Sequence, residues 1–131
     1  MNRLSVYAEA RKAAAEHQWL QSERAGRDLG HVAAGEWTKR CWLQFYRWRF
    51  IQHLRGEIFW EEFTSGCFGL LSNRLAAPVD LLDEILKHVK EGAENLSLIV
   101  WAEDRLLPMD QVIPVLEALD INRQRLPPPE L

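Results

Sequence analysis

The sequence predicts an all-α fold, a compact bundle of five to six helices around one long central aromatic helix, and three observations carry that prediction. Apolar residues recur at three- and four-residue steps through most of the chain, the period of one helix face. Glycines and prolines fall between these periodic runs, where helices stop and start. Five of the six tryptophans precede residue 61, and residues 31–55 form a long run dense in rings. A length of 131 residues, with 47% hydrophobic and 27% charged residues, suits one ordinary core. We read residues 1–125 as a single helical domain and residues 126–131 as a disordered Pro-rich tail, because consecutive prolines cannot continue a helix.

The first helix is expected from Ser5 to about Arg24, with Val6, Ala10, Ala13, His17 and Leu20 on one face and Gly26 as its stop. Asp28 then caps a second helix that starts between Asp28 and His31 and runs to Arg55, with Gly56 beyond its end. The aromatic run 57–63 reads as a short helix or a short strand, with the helix favoured, Thr64-Ser65-Gly66 as a turn, and residues 67–73 as a further short helical segment. Pro78 opens a helix through about Glu91, whose early acids and late bases suit the helix dipole. Another helix is expected over residues 94–106. The last is capped by Asp110 and runs to Leu119, with Pro114 forcing a kink or a late start.

Composition narrows the function classes. The longest apolar runs, such as Leu98-Ile99-Val100-Trp101, are far too short to span a bilayer, so no membrane partner is expected. Met1-Asn2-Arg3-Leu4-Ser5 lacks the apolar stretch and cleavage site of a secretory signal, and Cys41 and Cys67 lack the paired spacing of a metal or redox motif. A cytoplasmic protein with reduced thiols is the expectation. Residues 1–56 carry ten Lys/Arg against five Asp/Glu, net +5, while residues 57–131 carry six against fourteen, net -8. The halves either complement one another or offer the first half to an anionic partner.

The second helix carries the candidate site. At 100° per residue, Trp37, Cys41, Phe45 and Trp48 share one arc, and Trp42, Leu43, Tyr46, Phe50 and Leu54 share a second, roughly opposite arc. Two apolar faces need two things to pack against. Either the helix is central and covered on both sides by its own chain, or one arc is an interface. The second reading makes the protein a non-enzymatic protein-protein interaction or regulatory module acting through Trp42, Tyr46, Arg47, Trp48, Arg49 and Phe50, since Trp, Tyr and Arg dominate binding hot spots. Its partner is then another protein or its own copy, and a homodimer is expected because one arc would otherwise stay wet.

Two alternatives belong to other classes. Arg47-Trp48-Arg49 interleaves bases with rings, as nucleic-acid binders do. A pocket lined by Trp37, Trp42 and Trp60 would suit a small enzyme or ligand-binding bundle. Against catalysis, His17, His31, His53 and His88 lie on different segments without the paired Glu-x-x-His of metal bundles, so no catalytic residue, metal or cofactor is assigned.

The stretch His17-Gln18-Trp19-Leu20-Gln21-Ser22-Glu23-Arg24-Ala25-Gly26-Arg27-Asp28-Leu29-Gly30 resembles a segment of an uncharacterised family of small bacterial helical proteins. The resemblance implies a bacterial origin and a helix–turn–helix-like junction, and it carries no activity. Glu23, Arg27 and Asp28 are the polar candidates at that junction.

Overall fold

A computed structural model describes residues 4–73, 78–121 and 123–130. The fold is all-helical: α1 (Val6–Ala25), α2 (His31–Leu54), a 3₁₀ turn (Ser65–Cys67), α3 (Leu70–Asn73), α4 (Val79–Lys90), α5 (Asn95–Asp104) and α6 (Met109–Leu119). No strand forms among the described residues, where the nearest approach to one is an isolated parallel bridge between Leu4 and Trp60.

Helix α1 starts as its sequence predicts, with the Ser5 side chain accepting from the Ala8 N–H. A distant residue completes the cap. The Glu62 carboxylate accepts from Ser5 Oγ at 2.5 Å and from the Val6 N–H at 2.6 Å, which places a negative charge on the positive end of the helix. Gly26 ends α1 at φ 69, a left-handed conformation that glycine adopts without a Cβ clash, and its N–H returns to the Glu23 carbonyl.

Asp28 does not cap α2. Its carboxylate takes the Gly30 N–H at 2.9 Å, a local turn that leaves Gly30 itself at the cap position. The helix therefore begins at His31.

Residues 57–63 are not helical, contrary to the short helix expected there. Gly56 at φ 75 turns the chain away from α2, and the backbone then pairs with Leu4: Leu4 N–H donates to Phe59 O and Glu61 N–H to Leu4 O. A seven-residue aromatic run has no strong period of its own, so tertiary contacts chose its conformation.

Helix α4 and its neighbour follow the expected pattern, and a capping box between Glu94 and Ser97 opens α5. The last helix departs from expectation in its start: Pro108, not Asp110, occupies the cap, and the helix begins at Met109 despite Pro114. Pro114 is exposed, so water can serve the carbonyl that its missing N–H leaves unpaired.

Helix α2 lies at the centre, packed against α1, α3 and α4. Trp37, Trp42, Tyr46, Phe50, Ile51 and Leu54 all join one core with residues of α1, α4, α5 and α6. Each fully buried aliphatic, such as Leu54 or Ile85, contributes about 1.5–3 kcal/mol by leaving water.

Candidate functional site

Most of the surface expected on α2 is interior. Trp42, Tyr46, Arg47 and Phe50 are buried by the chain's own helices, Arg49 is half-buried, and only Trp48 is exposed, at 39%. The homodimer expectation rested on a wet aromatic arc, and the chain itself covers Trp42, Tyr46, Phe50 and Leu54 of that arc, leaving Leu43 exposed. The basic stripe is equally occupied. Arg47 donates to the carbonyls of Val89 at 3.2 Å and Ala93 at 2.8 Å and pairs with Glu94 at 2.9 Å, which pins the junction of α4 and α5. The Arg49 guanidinium lies 4.0 Å from the Phe45 ring centroid, and burial pulls its pKa down. The Lys90 ammonium lies 3.6 Å from the Trp48 ring centroid and is lowered likewise, first by burial.

Trp37, Trp42 and Trp60, the expected pocket lining, are all core residues. Glu23, Arg27 and Asp28 are exposed and border an open cleft at the α1–α2 turn, with Trp19 on its rim at 61% exposure.

Two side chains at the edge of the aromatic core reach a part of the chain that the sequence reading left unattached. Residues 125–130 have no regular secondary structure. Their backbone is nonetheless held: Trp42 Nε1 donates to Leu126 O at 3.0 Å and Tyr7 Oη to Pro127 O at 2.8 Å. The two rings are stacked, with centroids 5.5 Å apart and planes 11° from parallel, so the donors act as a pair. Leu126 packs on the core, Arg125 pairs with Glu94 at 3.0 Å, and Glu130 lies in a cleft lined by Arg11, Gln18 and His31. Burial, helped by the Glu62 charge and opposed by Arg11, raises the Tyr7 pKa and keeps its O–H available as a donor.

Tyr7 and residues 125–130 were not singled out from the sequence. The signal was present in Leu126-Pro127-Pro128-Pro129, since a proline run is a stiff extended ligand for aromatic rings, but only tertiary structure shows which rings receive it.

Titratable groups elsewhere serve the fold. His53 is fully buried; its Nδ1 accepts from the Trp60 N–H at 3.2 Å, which leaves Nε2 to donate to Thr64 O at 2.8 Å. The rings of Phe59, Phe63 and Phe68 surround it, and burial lowers its pKa against the opposing pull of the Thr64 carbonyl. Cys67 bonds within its own turn to Thr64. Among the described residues no group of three or more His, Cys, Asp or Glu is placed to hold a metal ion, and no helix is long and apolar enough to cross a membrane. No protein-family model, curated protein or solved structure matches this chain.

Proposed function

We propose that the protein is a non-enzymatic protein-protein interaction or regulatory module whose contact site is the α1/α2 face carrying Tyr7 and Trp42. One observation carries the reading: this face already holds an extended segment by two side-chain donors on successive carbonyls. Such a site binds backbone rather than reacting with it. The face also replaces the expected surface of Trp42, Tyr46, Arg47, Trp48, Arg49 and Phe50, of which Trp42 alone contributes, through the polar edge of a buried ring. Its partner is another protein, and a cytoplasmic setting would keep the free thiols of Cys41 and Cys67 reduced.

The test uses the full chain with its own segment unlatched by Leu126→Gly, Pro127→Gly, Pro128→Ser and Pro129→Gly. A fluorescent peptide Arg-Leu-Pro-Pro-Pro-Glu, the sequence of residues 125–130, is then added. Saturable binding by fluorescence polarisation is expected, with helicity retained by circular dichroism. A folded variant that leaves the peptide unbound at millimolar concentration removes the reading.

A further inference from the structure

Building on the interaction reading above, we infer that the partner is a proline-rich extended segment of another protein, with a basic residue before its prolines and an acidic one after, and that residues 125–130 occupy its place in cis. The argument begins with covalent geometry. Leu126, Pro127 and Pro128 each precede a proline, which drives them out of the helical region, and each proline ring fixes its own φ near -65°. The run therefore presents a polyproline-type backbone, whose carbonyls have no internal partners.

Three consecutive prolines also remove three N–H groups. The ligand is left with acceptors alone along this stretch, and the groove answers with donors: the Trp42 indole can only donate, and the Tyr7 hydroxyl donates here. An ordinary peptide in the same seat would bring N–H groups toward aromatic rings that offer them little. Charge favours one direction of the segment. Arg125 pairs with Glu94 at one end, and at the other Glu130 borders the same open cleft as Arg11 and His31. A stiff ligand also loses little entropy on docking, which is how proline-rich segments bind shallow aromatic grooves.

The tethered copy acts as a competitor. A short linker holds it at an effective concentration on the order of millimolar, so a partner in trans must displace it, and the intact chain binds more weakly than the unlatched one.

Three peptides decide the matter on the unlatched full chain: the own-segment peptide, the same peptide with its three prolines replaced by alanine, and an unrelated Lys-Val-Pro-Pro-Pro-Asp. We expect the first and third to bind within about fivefold of each other, and the alanine peptide at least about tenfold more weakly. Intact chain should bind the first at least about tenfold more weakly than unlatched chain. Adding Tyr7→Phe should weaken binding about fivefold, the effect of one hydrogen bond.

If the own-segment peptide binds and Lys-Val-Pro-Pro-Pro-Asp does not, the partner class is wrong while the interaction reading stands. If neither binds, both fall. Equal binding of the alanine peptide also overturns the proline argument. Should the unlatched chain lose helicity, intact protein is titrated with Lys-Val-Pro-Pro-Pro-Asp and the Trp42 indole N–H is followed by NMR. Displacement of that resonance supports the inference, and its constancy to millimolar peptide overturns it.

Discussion

Replacing His53 with leucine tests whether a buried imidazole organises the loop between α2 and α3. The substitution keeps an apolar side chain of comparable size among Phe59, Phe63 and Phe68 but deletes both ring nitrogens. The Trp60 N–H, which donates to Nδ1 in a buried setting, then has no partner there, and an orphaned buried donor costs about 1–3 kcal/mol. Loss of the Nε2 bond to Thr64 O costs about 1 kcal/mol more, less whatever water recovers at that more exposed residue. His53→Leu should therefore destabilise the protein by about 2–4 kcal/mol at pH 7.5, measured by urea unfolding with circular dichroism.

The same variant carries a pH signature. Burial depresses the native pKa of His53 below its ordinary 6.5, so the unfolded chain takes up the proton first. The contribution of neutral His53 is present above pH 6.5 and is lost as pH falls from there through the depressed native value. Between pH 6.5 and 5.5 the wild type should lose up to about 1 kcal/mol from this residue while the leucine variant loses none of it. The stability gap between the two proteins must therefore narrow on acidification. A gap below about 1 kcal/mol at pH 7.5, or one that stays constant down to pH 5.5, refutes the reasoning.

Other perturbations probe the remaining long-range ties. Arg47→Met strands the Val89 and Ala93 carbonyls and leaves the Glu94 carboxylate to Arg125 and the capping box, and a loss of about 2–4 kcal/mol is expected in the same unfolding assay, toward the lower end because Glu94 keeps those partners and is partly solvated. Glu62→Gln removes the charge from the start of α1 and should cost about 1–2 kcal/mol, detectable as a lower melting temperature. Raising pH through the elevated Tyr7 pKa, above its ordinary 10.0, should release residues 125–130, because the phenolate no longer donates to Pro127 O; the stability it lends is full below pH 10.0 and fades above. Tyr7→Phe should abolish that high-pH release when the Trp42 indole resonance is followed by NMR.

Periodicity made the helices legible wherever a strong apolar stripe met a capping residue. Helix α4 has both, with Leu81, Ile85, Leu86 and Val89 inward, and its bounds fall within a residue of the sequence reading. The run 57–63 has neither. Its conformation depends on Leu4, on the Gly56 turn and on the His53 Nδ1 that receives the Trp60 N–H, all set by the tertiary fold. The two arcs of α2 were also legible, but a helical wheel reports only that a face is apolar. Whether a neighbouring helix or a partner covers that face depends on where α1, α3 and α4 lie. The signal that argued for an interface therefore fits a central helix equally well.

A buried aromatic helix can still make a binding site at its margin. Trp42 is almost wholly interior, yet a tryptophan bears its one donor at the ring edge, and unlike the buried indole N–H groups of Trp60 and Trp101 this one meets an acceptor. Here the acceptor comes from Leu126, 84 residues away. Trp48 differs, its exposed ring being faced by the Lys90 ammonium. Core packing thus fixes the direction of the Trp42 N–H, and Tyr7, stacked on it, supplies a second donor at the next carbonyl. Because rigid rings set the donor spacing, the proposed site would select a stiff backbone of matching carbonyl spacing with little loss of entropy, which a pair of flexible surface side chains could not do.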